Sequence, residues 1–290
     1  MRTLQGKSVV ITGAASGIGE ALAHAGAARG ARLLLADIDA TGLDRVVLAL
    51  KAKGAECSGL VTDTGSEAAI HALAEAAQTR LGGADIVINN AGVGLLAPVD
   101  KLVTSDAQWL MNINFWGVVH GCQAFIPQLR QRPDALLVNI SSIFAMVSVP
   151  TQSIYNASKA AVRGFSDALR EELQSTGVGV LCVHPGGIKT NIANRARITD
   201  VSMVADTDQE MRDNFDKVAR TTPQQAAATI IHAIESRKTR VLIGADAWFM
   251  DWMFRLFPAH ASHWLSNLGH WMRRRAASQS RATKGQDKTL

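Results

Sequence analysis

The chain has 290 residues, 47% of them hydrophobic and 19% charged, with a formal net charge of +5. This is the balance of a soluble globular protein able to bury a large core without staples, and it excludes disordered, collagenous and coiled-coil readings. Residues 273–290 carry that whole charge, with Arg273, Arg274, Arg275, Arg281, Lys284 and Lys288 against the single acid Asp287; a neutral body with a basic tail is not the field of a nucleic-acid-binding protein.

Near the N-terminus the apolar run Val9-Val10-Ile11 is too short for a signal-peptide core. Strands are expected at Ser8–Ile11, Arg32–Ala36, Glu56–Val61, Asp85–Ile88, Ala135–Ile140, Val178–Val183 and Arg240–Ile243. Helical patterns lie between them, at 17–29, 40–53, 66–81, 104–130, 152–175 and 223–236. Strand and helix alternate at a spacing that suits right-handed βαβ crossovers. The strand runs are apolar throughout, as expected when helices cover both faces. The expected fold is therefore α/β, a doubly wound, Rossmann-type parallel sheet of about seven strands with helices on both faces. Residues 1–245 are expected to form one domain, without repeat or linker. Two stretches break the alternation. Residues 191–222 are polar and long enough to be a lid over a substrate. Residues 246–290 begin Trp-rich and end as a basic, mobile tail. The nearest candidate for a membrane span, 241–257, is interrupted by Asp246, Asp251 and Arg255. Cys57, Cys122 and Cys182 are scattered, which argues for a reducing, cytoplasmic setting and against disulfides or a zinc site.

After the first strand comes Thr12-Gly13-Ala14-Ala15-Ser16-Gly17-Ile18-Gly19, opening a helix. Glycines here let the backbone approach a pyrophosphate, and the helix N-terminus offers it free N–H groups. Asp37 ends the second strand, placed to accept from the adenosine ribose hydroxyls. Its charge repels a 2′-phosphate and Ile38 adds no cation, which favours NAD over NADP. A competing role for Asp37 is to cap the next helix, as Asp39 could also do.

The pattern Thr-Gly-x-x-x-Gly-Ile-Gly resembles the short-chain dehydrogenase/reductase family, in its single-domain branch. Further motifs agree: Asn89-Asn90-Ala91-Gly92, Asn114-x-x-Gly117, Ser142, Tyr155-Asn156-Ala157-Ser158-Lys159 and Pro185-Gly186-Gly187-Ile188-Lys189-Thr190. The resemblance covers about residues 5–245. It implies an oxidoreductase moving a hydride between nicotinamide and a carbonyl/alcohol pair, with no catalytic metal. It makes Tyr155 the acid/base, gives Lys159 the nicotinamide ribose, Ser142 the substrate oxygen, and Asn114 a water that relays protons. Neighbours compete for two of these roles, Ser141 with Ser142 and Asn112 with Asn114, and family spacing selects the latter of each. Cofactor contacts fall to Gly13, Ser16, Gly17, Ile18, Gly19, Asp37, Asn90, Pro185, Gly186, Ile188 and Thr190. Asp63 and Thr64 match the adenine contact, unless Asp63 caps a helix. Asn89 reads as structural support.

The chemistry needs a phenol acid enough to work near neutral pH. Lowering tyrosine by about three units takes about 4 kcal/mol of phenolate stabilisation. Tyr155 and Lys159 lie one helical turn apart, so the ammonium is expected to supply part of it and a positive nicotinamide the rest. Substrate contacts are expected from Val93, Leu95, Ser142, Phe144, Val147, Val149, Gln152 and Tyr155. None of these is cationic, so a lipophilic secondary alcohol or ketone is favoured over a charged acid. The family also implies a homodimer or homotetramer. Trp248, Phe249, Trp252, Met253, Leu256 and Phe257 make an amphipathic helix ended by Pro258. A second helix could carry Trp264, Leu268, Trp271 and Met272 before the Arg273–Arg275 run. Aromatics followed by cations suit peripheral membrane contact through 246–275, against packing on the body or a partner.

Overall fold

The computed structural model describes residues 3–202, 205, 207–261 and 263–264. Seven strands form one parallel sheet: β1 (Ser8–Thr12), β2 (Arg32–Asp37), β3 (Cys57–Val61), β4 (Ile86–Asn89), β6 (Ala135–Ile140), β7 (Val178–Pro185) and β9 (Arg240–Ile243). Their order across the sheet is β3-β2-β1-β4-β6-β7-β9. β1 pairs β2 on one side, Val9 beside Leu33, and β4 on the other, Val9 beside Ile86. The order therefore reverses between β1 and β4, and loops at their C-terminal ends open a crevice where such sheets bind ligands.

Every residue of β1, β4 and β6 is buried, because helices cover both faces. Alternate side chains feed two core layers. Val9, Ile11, Leu33 and Leu35 pack on α1 (Gly17–Ala27), α2 (Ala40–Lys51) and α8 (Pro223–Glu235). Val10, Leu34, Val87 and Leu137 pack on α3 (Glu67–Leu81), α5 (Gly117–Leu129) and α6 (Ser153–Glu172). All three cysteines are buried and free.

The structure departs from the sequence expectation in two places. The helix expected over 104–130 is α4 (Thr104–Met111) and α5 joined by a π turn, Asn112–Trp116, where the Gly117 N–H reaches back to the Asn112 carbonyl. Such single π turns cluster at functional sites. Residues 191–222 are not one loop. β8 (Arg197–Ile198) pairs in parallel with β5 (Leu95–Leu96), and α7 (Asp208–Val218) follows.

The extension begins with α9 (Ala245–Leu256), which ends before Pro258 as its sequence implies. Ala247, Met250 and Phe254 pack on Ile143, Met146, Val147 and Leu242. Asp251 is buried between Arg240 (2.6 Å) and Arg255 (3.0 Å). Trp248, Phe249, Trp252 and Leu256 face outward and are more than half exposed. Of the second helix, Leu268, Trp271, Met272, Arg273 and the tail beyond lie outside the described residues, as does Met203. No helix among the described residues is long and apolar enough to cross a membrane.

Candidate active site

At the crevice between β1 and β4 lies a cavity of about 380 Å³. Its walls include Gly13, Ser16, Gly17, Ile18, Asp37, Asp63, Thr64, Asn90, Ser142, Tyr155, Lys159, Pro185, Gly186, Ile188 and Thr190. The motifs are spread over 178 positions of sequence, yet they converge because each follows the C-terminal end of a parallel strand or opens the helix after it. A larger open groove of about 860 Å³, outside α1 and α8, holds none of the acid/base candidates.

The glycine turn is built for close approach. Gly13 has φ +67°, and a Cβ there would meet the Ala91 Cα at 2.8 Å. At Gly19 a Cβ would meet the Gly13 carbonyl at 2.0 Å. Ser16 caps α1 in extended conformation without a side-chain bond, which leaves the first turn of the helix open to an anion. The Asn90 amide donates to the carbonyls of Thr12 (2.9 Å) and Gly13 (3.2 Å) and locks the turn against β4. Asp37 does not cap α2: its carboxylate accepts from the N–H of Ala15 (2.9 Å) and Asp39 (3.0 Å), while Asp39 takes the Gly42 N–H (3.0 Å). Asp63 likewise accepts from Gly65 (2.8 Å), and Ser66 caps α3. Thr190 closes the turn from the far side, 3.2 Å from a Cβ placed on Gly17.

The other end holds the acid/base candidates. The Ser142 hydroxyl bonds the Tyr155 hydroxyl and accepts from the Phe144 N–H (3.1 Å). Its rival Ser141 points away and donates to the Lys159 carbonyl (2.8 Å), pinning α6 to β6. The Lys159 ammonium donates to the Ile140 carbonyl (3.1 Å) and lies 5.8 Å from the Tyr155 ring centre. His184 meets the Ser142 carbonyl from behind at 3.3 Å; burial pushes it down to about 4, so it stays neutral.

The phenol differs from the sequence expectation. Burial pushes Tyr155 up to about 12, and the Ser142 hydroxyl offsets only part of the rise. The same burial pushes Lys159 down to about 8. In a dry cavity desolvation disfavours both charged forms.

Asn114, not Asn112, is buried here. Its side chain accepts from the Val93 N–H (2.8 Å) and donates to the Val93 carbonyl (3.0 Å) and Ser158 hydroxyl (3.3 Å). It therefore fixes the 92–93 backbone, and its side chain is spent on protein. Asn89 is structural, donating to Asn139 (2.9 Å) inside the sheet.

Val93, Leu95, Phe144 and Gln152 line the cavity, but Val149 and Val147 do not. Asn156 holds the carbonyls of Phe144 (3.1 Å) and Val147 (3.0 Å), which turns that stretch aside; Val147 packs under α9 instead. Leu96, Ile192, Ala193, Ala196 and Met211 complete an apolar wall, four of them from the 191–222 segment. Arg195 stands at the rim, 3.6 Å from Asp39. One further residue had no sequence signal. Asp246 accepts the Gly187 N–H at 2.6 Å and so braces the 185–190 turn.

Comparison with known proteins agrees with this geometry. Residues 7–200 match the family model described as short chain dehydrogenase. A Mycobacterium tuberculosis protein called oxidoreductase SadH is 40% identical over 88% of this chain and 92% of its own. Ketoacyl reductase HetN of a Nostoc species is 30% identical over 85% of this chain and 81% of its own. A solved short chain dehydrogenase/reductase from Burkholderia phymatum, in complex with NAD, is 34% identical with a TM-score of 0.76, covering 83% of this chain and 90% of its own.

The buried lysine makes a prediction that needs no ligand. Lys159 titrates lower in the folded chain (about 8) than in the unfolded one (10.5), so the unfolded state binds more protons between those values. Stability rises with pH through that window, and at pH 7 the charge costs about 3 kcal/mol. Lys159→Met should raise the denaturation free energy at pH 7 by about 1–3 kcal/mol, with the gain fading by pH 10.5. Urea titrations at both pH values check it.

Proposed function

The chain belongs to the short chain dehydrogenase family, and we propose that it is an NAD-dependent oxidoreductase of a lipophilic secondary alcohol or ketone, with Tyr155 as acid/base. The observation that carries the reading is the convergence of the Tyr155 and Ser142 hydroxyls and the Lys159 ammonium in one cavity whose other end is a glycine cradle. A Cβ on Gly13 or Gly19 would collide with the Ala91 backbone or the Gly13 carbonyl, so only glycine lets this turn fold tightly, and the uncapped first turn of α1 beside it fits a dinucleotide's pyrophosphate. The first turn of α1, from Ser16 to Gly19, would hold the pyrophosphate, and Asp37 the adenosine ribose. Asp63, Thr64 and Asn90 would flank the adenosine. Pro185, Gly186, Ile188, Thr190 and Lys159 would hold the nicotinamide end. When bound, an oxidised nicotinamide supplies the hydride acceptor and a positive charge beside the phenol.

Tyr155 takes the hydroxyl proton of the alcohol, or returns it to the ketone. Ser142 holds the same oxygen by its hydroxyl. Lys159 stabilises the phenolate once it forms, because an ammonium and a phenolate in a dry site attract far more than either does as a lone buried charge. Asn114 keeps the 92–93 backbone fixed beside that pair; with its amide bonded to Val93 and Ser158, its side chain is not left to anchor a proton-relay water. The apolar wall from Val93 to Met211 favours a lipophilic substrate, since no cation but the rim residue Arg195 and Lys159 itself lines the cavity. Residues 1–245 would make up the catalytic unit, paired through α4, α5 and α6 in a homodimer or homotetramer.

The alternative cofactor, NADP, has one observation in its favour. Arg195 reaches Asp39 beside Asp37, where a 2′-phosphate would lie. Against it, Asp37 sets a carboxylate at that ribose.

A second reading concerns α9. Its outward stripe of Trp248, Phe249, Trp252 and Leu256, followed by the basic tail, suits peripheral contact with an anionic bilayer. Two tails of +5 each would repel across a self-paired stripe, whereas anionic lipid attracts them.

Three measurements test these readings. Tyr155→Phe should lower turnover of secondary alcohols by about 10²–10⁴-fold while NAD binding stays within threefold; unchanged turnover removes the acid/base assignment. Asp37→Ala should shift the NADP/NAD ratio of kcat/KM upward by at least about tenfold, about 1.4 kcal/mol, and a ratio that does not move refutes the ribose role. The full chain should co-sediment with vesicles rich in phosphatidylglycerol and lose most binding in Trp248→Ser/Trp252→Ser or at high salt; equal sedimentation of both proteins excludes the bilayer.

A further inference from the structure

We infer that Asp246, at the start of the C-terminal extension, is a positioning residue for the 185–190 turn and thereby for the nicotinamide half of the cofactor, an inference that rests on the dinucleotide reading above. The turn leaves β7 at Pro185 and is held from outside at four points. The Gly186 N–H donates to the Ile243 carbonyl at 2.9 Å, the Lys189 N–H to the Thr221 carbonyl at 2.9 Å, and the Thr221 N–H to the Gly187 carbonyl at 3.4 Å. The fourth point is, among the described residues, the only one made by a side chain: the Gly187 N–H donates to the Asp246 carboxylate at 2.6 Å. A bond to an ionised acceptor is about twice as strong as a neutral one, so this contact dominates the orientation of the 186–187 peptide.

The peptide is planar and trans, so its N–H and C=O point in opposite directions. Once Asp246 has captured the Gly187 N–H, the Gly186 carbonyl must face away from α9. The turn's acceptor pattern toward the cavity therefore depends on a carboxylate 59 positions downstream.

Two glycines show that the carboxylate is built in. A Cβ on Gly186 would come within 2.3 Å of one Asp246 oxygen, and a Cβ on Gly244 within 2.3 Å of the other. The carboxylate thus sits in a slot between the end of β9 and the turn, with no room for a side chain on either wall. The residue lies beyond the part of the chain that matches the family model, 7–200. It also heads the helix whose buried face packs on Ile143 and Met146, next to Phe144 of the cavity wall. The extension thus reaches the site through one hydrogen bond and one apolar contact.

The test separates the two halves of the cofactor. NAD and ADP-ribose share every contact except those of the nicotinamide ring. In Asp246→Ala, the dissociation constant for NAD, read by tryptophan fluorescence, should rise at least tenfold, while that for ADP-ribose stays within twofold. Asp246→Asn keeps an acceptor oxygen and should recover most of the NAD affinity. Gly186→Ala attacks the same contact from the other wall and should reproduce the alanine pattern, which keeps the question open to measurement if Asp246→Ala does not fold. Thermal melts accompany each variant. If NAD and ADP-ribose weaken together, or neither weakens, Asp246 is structural only and the inference is overturned. If the wild-type chain binds neither molecule, the dinucleotide reading falls and takes this inference with it.

Discussion

The site depends on a primary amine placed where water does not reach. Lys159 is 3% exposed, and the contact made by its ammonium is the Ile140 carbonyl at 3.1 Å. Burial moves Lys159 and Tyr155 in opposite directions on the pH scale for one reason: each loses hydration of its charged form. Neither shift alone makes a catalyst. Together they define a site in which the phenolate and the ammonium are each costly alone and much less costly as a pair. The large apolar layers on both faces of the sheet offset the standing cost of the amine.

That arrangement requires α6 to meet β6 in one register, and a buried polar network supplies it. Asn89 of β4 donates to Asn139 of β6 (2.9 Å), which donates to Ser166 of α6 (3.0 Å). The Ser141 hydroxyl adds its bond to the Lys159 carbonyl one residue before Ser142. A slip of one residue in either element would leave buried amides unpaired, at about 1–3 kcal/mol each. The hydrogen bonds therefore select the register that brings Ser142 to Tyr155, and the apolar layers hold it.

The strands and the five motifs were legible because parallel strands bury both faces and read as apolar runs, and because each motif sits at a strand end or at the opening of a helix. The π turn was not, since Asn112-Ile113-Asn114-Phe115-Trp116 continues the helical periodicity through it. Two-residue strands such as β5 and β8 are too short to show alternation. Val149 was misplaced because nearness in sequence to Ser142 and Tyr155 says nothing of the direction that Asn156 imposes on the chain between them. The spacing of Tyr155 and Lys159 identified a shared helix face but carried no information about the dielectric around it. Asp246 offered no signal at all: its partner is a backbone N–H, which every residue except proline has.

The cavity divides into a fixed floor and a separable roof. The floor, from Ser142 to Lys159, belongs to the sheet and α6 and moves only if the core does. The roof, residues 191–202 with β5, is clasped from outside to α4 and to the 99–101 turn before it: Arg197 bonds Asp106 at 2.6 Å and stacks 3.7 Å over Trp109, and Lys101 pairs with Asp200. Exposed pairs of this kind contribute about 0–1 kcal/mol each. Releasing them exposes only the small cluster around Leu96, Ala196, Val201, Ala205 and Met211. Opening at the roof is therefore the cheapest way into the cavity, and it leaves Tyr155 and Lys159 undisturbed. The same division explains why the reaction class is readable from a few residues of the floor, whereas the shape of the substrate is set by side chains whose spacing follows no period.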